Sequence, residues 1–345
     1  MKAAVYHGIG AIGYEDVEVP QIGPGEVLVR LGACGLCGTD IHKILHQSVR
    51  TPVVLGHEVA GEIADVGSGV EGFIAGDRVF VAHHVPCFTC RHCLRGHHTL
   101  CAQFRATNLD PGGFAEYIRV SERHVRATLL KIPDGVTYEQ AAMAEPLATV
   151  VHGAKLLRVM HGDRVLVMGA GQIGVIWTQL LRNMGADLVI VSDVSAFKLE
   201  QARRFGADVT VNVTAENLVE EVQVATEGAG VDVVVIAVGV SSLLADAVRC
   251  CAPGGQIMVF AGFDGSPQVS IDASRFFNSE ITIVGSYSSM PTEYAPSLGM
   301  IAEGQIRVSD MITHRFPLSS LQEAVSVATD PAARSLKVIL TPSVD

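Results

Sequence analysis

Four cysteines, Cys87, Cys90, Cys93 and Cys101, follow the pattern C-x2-C-x2-C-x7-C within fifteen residues. Thiolates this close in sequence can close a tetrahedron around zinc, and four sulfurs leave no open coordination position, so the site they imply is structural. His92, His97 and His98 share the loop and read as decoration rather than as ligands. A second set is dispersed: Cys37-Gly38-Thr39-Asp40-Ile41-His42, then Gly56-His57-Glu58, then Glu145-Pro146-Leu147. One thiolate, one imidazole and one or two carboxylates make a borderline donor set that suits zinc and leaves room for water or substrate. Each piece alone is weak. Cys34 stands three residues before Cys37, but it lies in an apolar run and reads as core, not as a redox partner.

A third group carries phosphate chemistry. The apolar run Val165-Leu166-Val167-Met168 leads into Gly169-Ala170-Gly171-Gln172-Ile173-Gly174, followed by a helical-period segment from Val175 to Met184 that stops at Gly185. That order is strand, tight turn, helix. Gly169 permits the turn, Gly171 lets backbone approach a pyrophosphate, and Gly174 lets the helix pack closely on the strand. The helix N-terminus offers free N–H groups to phosphates. A second apolar run, Leu188 to Val191, ends at Asp193, nineteen residues beyond Gly174, where a dinucleotide fold needs a carboxylate for the adenosine ribose. Asp193 would repel a 2′-phosphate and no arginine directly follows it, which points to NAD over NADP. Lys198, five residues on, is a candidate to touch the ribose or to let NADP be tolerated.

The elements that must position these groups change in texture along the chain. Short runs at Ala3–Tyr6, Val27–Leu31, Ala60–Val66, Arg78–Val81 and Phe114–Val120, separated by Gly and Pro, predict a β-rich barrel or sandwich. Tyr138 to Val159 reads as helical. Strands then alternate with helices at Val165–Met168, Leu188–Ser192, Val209–Val211, Val231–Val238, Gln256–Phe260 and Ile281–Gly285, which predicts a parallel doubly wound sheet. The tail gives a helix at Thr292–Glu303, a strand at Ile312–Pro317, a helix at Leu318–Thr329 and a last strand at Ser335–Leu340. It is too short to fold alone, so it is expected to return to the first domain. The expected division is a catalytic zinc domain at 1–150 with a structural zinc lobe at 84–104, a dinucleotide-binding domain at 151–287, and a return segment at 288–345.

With 345 residues, 48% of them hydrophobic, the chain can bury two cores. A formal net charge of −11 and no basic run argue against nucleic acid or an anionic membrane as partner. The opening MKAAVYHGIG has no signal-peptide pattern and no long apolar run occurs, so a cytoplasmic protein is expected. Eight cysteines, half of them in one short loop, suit metal binding in a reducing compartment.

The succession CGTDIH, GHE, four-cysteine lobe, EPL and GAGQIG resembles the zinc-containing medium-chain alcohol dehydrogenases over essentially the whole chain. The GHE and EPL pieces, with ITHRFPL at Ile312 to Leu318, are most similar to the polyol (sorbitol) and threonine dehydrogenase branch. The resemblance implies an α/β chain with an N-terminal β-rich GroES-like catalytic domain and a doubly wound Rossmann nucleotide-binding domain. It implies two zinc ions, one catalytic and one structural. Cys37 and His57 are then catalytic zinc ligands, with Glu58 or Glu145 as the carboxylate and Glu58 favoured. Asp40 would hold the His57 ring through its other nitrogen. Thr39 and His42 match the family's proton relay. The implied reaction is hydride transfer from a secondary alcohol of a polyol, sugar alcohol or amino alcohol to NAD, with zinc as Lewis acid.

Two positions depart from the sorbitol pattern: Lys43 stands where an aromatic is usual and Ser288 where an arginine is. They leave open a different polar substrate or a different partner for Glu145. Phe104, Thr107, Tyr287 and Met290 are candidate pocket residues. The resemblance also implies a homodimer or homotetramer joined at an edge strand near Gln268–Ile271 or Ile281–Val284. Two rival readings compete: a zinc-free quinone or enoyl reductase of the same fold, which lacks the cysteine lobe, and a noncatalytic dinucleotide- or zinc-binding protein.

Overall fold

The structure is a computed structural model that describes residues 1–263, 265 and 267–342. Two compact units divide it: Met1–Ala148 with Ser289–Asp345, and Thr149–Ser288.

The first unit is built on strand Val27–Gly35, whose Val27, Val29 and Leu31 point into the core while Arg30 points out. This alternation is what a half-buried strand requires. The strand belongs to a seven-stranded sheet in the order Ile312–Pro317, Lys337–Thr341, Val27–Gly35, Glu58–Val66, Arg78–Ala82 and Leu129–Lys131, with Tyr117–Val120 paired on Val27–Gly35. A three-stranded sheet of Ala11–Asp16, Lys2–Gly8 and Val53–Val54 packs into the same core. The C-terminal strands thus lie beside the N-terminal ones.

Register in the larger sheet brings three chain segments to one end. Gly35 pairs with Glu58, and Glu58 pairs with Ala82. Cys37 follows the first strand by two residues, His57 immediately precedes the second, and His83 immediately follows the third. Lys337 opens the strand on the other side of Val27–Gly35.

The second unit is a six-stranded parallel sheet ordered Val209–Asn212, Leu188–Asp193, Arg164–Met168, Val231–Ile236, Cys251–Val259 and Thr282–Gly285. The order reverses at Arg164–Met168, which makes the end of that strand the topological switch point of a Rossmann sheet. Central strands such as Val231–Ile236 are apolar along nearly their whole length because both faces are covered.

Local differences from the sequence reading have local causes. The helix expected over Tyr138–Val159 is two helices, Tyr138–Ala142 and Ala144–Lys155, meeting at Met143. Leu318–Thr329 begins as a tight 3-10 turn, Leu318–Ser320, before the α-helix Leu321–Thr329. Gln268–Ile271 is not a strand: Pro267 precedes it, and Asp272 accepts from the Ser274 N–H to start a short helix. One edge of the parallel sheet is Thr282–Gly285, the other Val209–Asn212.

Candidate active site

Helix Gly38–His46 starts immediately after Cys37, and its third residue, Asp40, turns back to accept the Cys37 N–H at 3.2 Å. Asp40 is fully buried, accepts the Gly56 N–H at 3.3 Å, and faces His57 Nδ1 at 3.3 Å. One carboxylate therefore ties the Cys37 and His57 segments together. With Nδ1 turned toward Asp40, Nε2 is the nitrogen of His57 left for a metal. Burial opposes charge on His57, but the charges of Asp40 and Cys37 together hold its pKa well above the usual imidazole range. The same field draws any cation.

Ligand atoms of Cys37, His57 and Glu58 lie within 4.8 Å of one another. Glu58 is fully buried; its Oε2 takes a hydrogen bond from Lys337 Nζ, itself fully buried, and Oε1 has no hydrogen-bond partner. A buried carboxylate oxygen left bare is costly, so it calls for a ligand. Sulfur, imidazole nitrogen and carboxylate oxygen are a donor set that fits zinc with a position left open.

Glu145, the second residue of helix Ala144–Lys155, stands outside that group of three. Burial raises its pKa to about 7, with Glu58 and Asp40 adding to the effect and His57 and Lys337 opposing it. Its Oε1 lies 3.9 Å from Nδ1 of His83. The sequence reading passed over His83. Its ring lies 4.6 Å from that of His57 and 3.8 Å from that of His84, centroid to centroid, and burial holds its pKa well below the usual imidazole range. His84 turns the other way: its Nδ1 meets the Thr107 carbonyl at 2.6 Å and its ring packs on Phe104. Lys337 was also unforeseen.

Thr39 and His42 are exposed on helix Gly38–His46, three residues apart and so on one face, opposite Asp40. His42 Nδ1 contacts Ser48 Oγ at 3.2 Å. Of the candidate pocket residues, Phe104 is fully buried among Cys93 and Cys101, so it is core of the lobe. Thr107 accepts the Val85 N–H at 2.8 Å and holds the approach to the cysteines. Met290 caps helix Pro291–Ala302, Lys43 is half-buried, and Tyr287, 52% exposed, belongs to the second unit with Ser288.

The four sulfurs of Cys87, Cys90, Cys93 and Cys101 also lie within 4.8 Å of one another, with Cys87–Cys93 at 3.9 Å and Cys90–Cys93 at 3.6 Å. Sulfurs bound about 2.3 Å from one zinc stand about 3.8 Å apart. Backbone N–H groups point at the cluster, Cys90 to Cys87 Sγ at 3.2 Å and Cys87 to Cys101 Sγ at 3.4 Å. N–H groups at Thr89 and Cys90 hold the Cys87 thiol down at about 6, whereas burial and its sulfur neighbours push Cys93 up to about 12. Four thiolates coexist there only around a cation.

In the second unit, Gly169 has φ 103 and so sits in the left-handed region that favours glycine. A Cβ on Gly174 would stand 1.8 Å from the Gly169 carbonyl oxygen, whereas one on Gly171 would enter open space at the helix start. The backbone at Gly171 therefore borders open space. Gln172 and Ile173 open the helix, and Gln172 Oε1 is buried without a hydrogen-bond partner. Asp193 closes its strand; its oxygens accept the Ala170 N–H at 2.7 Å and the Ser195 N–H at 2.9 Å. Lys198 is half-buried on helix Ala196–Arg204.

Residues 23–134 match the family model of the alcohol dehydrogenase GroES-like domain, and residues 173–303 match that of the zinc-binding dehydrogenases. The chain belongs to the zinc-containing medium-chain alcohol dehydrogenases, in the polyol and threonine dehydrogenase branch, and is an oxidoreductase. Sorbitol dehydrogenase of Bacillus subtilis is 33% identical over 350 residues, covering 99% of this chain and 98% of its own. L-threonine 3-dehydrogenase of Pyrococcus furiosus is 34% identical over 309 residues, 87% of each chain. Among solved structures, an NADP-bound zinc-binding dehydrogenase of Sinorhizobium meliloti 1021 superposes with a TM-score of 0.91 at 31% identity, covering 99% of both chains. No helix among the described residues is long and apolar enough to cross a membrane.

Proposed function

We propose that this chain oxidises a secondary alcohol group of a polyol, sugar alcohol or amino alcohol to a ketone with NAD as hydride acceptor. The observation that carries the reading is the bare, buried Oε1 of Glu58 beside Cys37 and His57. Cys37, His57 and Glu58 would hold the catalytic zinc, and Cys87, Cys90, Cys93 and Cys101 the structural one. Glu145, outside the three-donor group, is assigned to the wall of the site rather than to the metal. When bound, zinc supplies Lewis acidity that eases loss of the alcohol proton, and NAD supplies the acceptor for the hydride.

The protein's own groups do the rest. Asp40 fixes the His57 ring, and Lys337 balances the charge of Glu58. Thr39 and His42, on the solvent face of their helix, would pass the alcohol proton outward. Gly169, Gly171 and Gly174 shape the phosphate turn, Gln172 and Ile173 begin the helix behind it, and Asp193 with Lys198 would receive the adenosine ribose. Asp193 supports NAD over NADP because a 2′-phosphate would meet a carboxylate.

The domains are inferred as catalytic segments 1–150 and 288–345 around a dinucleotide domain 151–287. Eight unpaired thiols favour a reducing cytoplasm. The edge strand Thr282–Gly285 favours a homodimer or homotetramer that covers it. No nucleic acid or membrane partner is proposed.

An NADH-absorbance screen of polyols, amino alcohols and simple secondary alcohols tests the reading. Oxidation of one of these classes with NAD is expected. Reduction of quinones or enoyl compounds with no alcohol oxidised would overturn it in favour of the zinc-free reductase activity.

A further inference from the structure

His83 has no part in the chemistry above, yet it is the ring that flanks His57 at the end of the sheet. Its two nitrogens are in different surroundings. Nδ1 is sealed from solvent, has no hydrogen-bond partner, and lies 3.9 Å from Glu145 Oε1. Nε2 is not among the sealed, unpartnered atoms of the described residues, and 13% of the side chain remains accessible. A neutral imidazole carries one N–H and one lone pair. Opposite the ionised Glu145 carboxylate, a lone pair on Nδ1 would face an oxygen with no proton between them, whereas an N–H there faces an acceptor. The second arrangement is the favourable one, and it leaves the lone pair on Nε2.

We infer that Glu145 fixes the tautomer of His83, so that Nε2 is an acceptor reading a hydroxyl or ammonium donor next to the carbon being oxidised. The inference rests on the proposed alcohol oxidation. A substrate whose reacting oxygen is at Cys37, His57 and Glu58 meets His83 only through a neighbouring substituent. His84 cannot substitute for it, since its Nδ1 is held by the Thr107 carbonyl and its ring by Phe104. His83 is a specificity residue and Glu145 its positioning residue. A site with a buried acceptor disfavours an analogue that brings no donor, because the acceptor is then left unpaired.

Two measurements test this. Nitrogen NMR of histidine-labelled protein, with His83→Phe identifying the His83 signals, reads the tautomer without turnover. A protonated Nδ1 is expected, with the bias lost in Glu145→Gln; a protonated Nε2, or a tautomer indifferent to Glu145→Gln, overturns the inference. Isopropanol, propylene glycol and isopropanolamine share one secondary carbinol and differ in the neighbouring donor. Their dissociation constants from the zinc-loaded protein, taken by calorimetry without NAD, and their kcat/KM with NAD should favour the two donor-bearing compounds. His83→Phe should reduce that preference about 10- to 100-fold. An unchanged preference in His83→Phe, or none in the wild type, overturns the inference. If none of the three is oxidised but calorimetry gives the expected pattern, recognition by His83 stands and the dehydrogenase reading falls.

Discussion

The carboxylate of Glu58 and the ammonium of Lys337 meet with both side chains wholly removed from solvent, 279 positions apart in sequence. Lys337 Nζ also donates to the Leu36 carbonyl at 3.2 Å, so a C-terminal strand braces the Cys37 segment as well as Glu58. Removing one member of a buried pair leaves an uncompensated charge and costs about 3–5 kcal/mol, whereas removing both is often close to neutral. Lys337→Met should therefore lower unfolding stability by about that amount. Urea denaturation of the variant checks this. A variant within about 1 kcal/mol of wild type would contradict the pairing.

Cys93→Ala should remove the structural metal and loosen the lobe, because metal binding and local folding are coupled there. Metal analysis should find one zinc fewer per chain, and the melting temperature should fall by about 5 °C or more. Retention of both the metal and the melting temperature would dismiss the four-sulfur assignment.

How far the chain could be read in advance depended on sequence distance. Cys87 to Cys101 and Gly169 to Gly174 are local patterns whose spacing alone dictates chemistry, and Asp193 lies one strand further on. Lys337 gave no such signal: it is one charge at the start of an apolar strand, and only the register Ile339 to Gly35 brings that strand beside the Cys37 segment. His83 was hidden for a similar reason. His83-His84 precedes the cysteine lobe with no periodicity to tell its two rings apart, and only the Glu58–Ala82 register turns His83 toward His57. Cys251–Val259 begins through Cys-Ala-Pro-Gly-Gly, which reads as a turn, so its first residues were missed. Helix Gly38–His46 is too short for its period to stand out beside the motif that opens it.

Asp193 accepts the Ala170 N–H of the glycine turn on one carboxylate oxygen and the Ser195 N–H at the start of the next helix on the other, so its loss also loosens the turn. Asp193→Ala should weaken NAD binding roughly 10- to 100-fold, the worth of a charged hydrogen bond. NADP should lose less, since repulsion of its 2′-phosphate disappears. Fluorescence titration of both cofactors gives the ratio. A variant in which NAD and NADP weaken equally would rule out the carboxylate as the source of discrimination.

Cys37→Ala should depress alcohol oxidation about a thousandfold or more, as expected when Lewis-acid assistance is lost. NAD affinity should stay nearly unchanged, because every residue assigned to the cofactor lies in the other unit. Normal turnover in this variant would remove the catalytic-metal assignment.

Zinc content per chain, measured side by side in the wild type and in Cys37→Ala, tests the central assignment most directly. If each of the two ligand groups holds one zinc, the wild type should contain two and the variant one, bound by Cys87, Cys90, Cys93 and Cys101. Equal zinc content in the two proteins would mean that Cys37, His57 and Glu58 do not hold a metal.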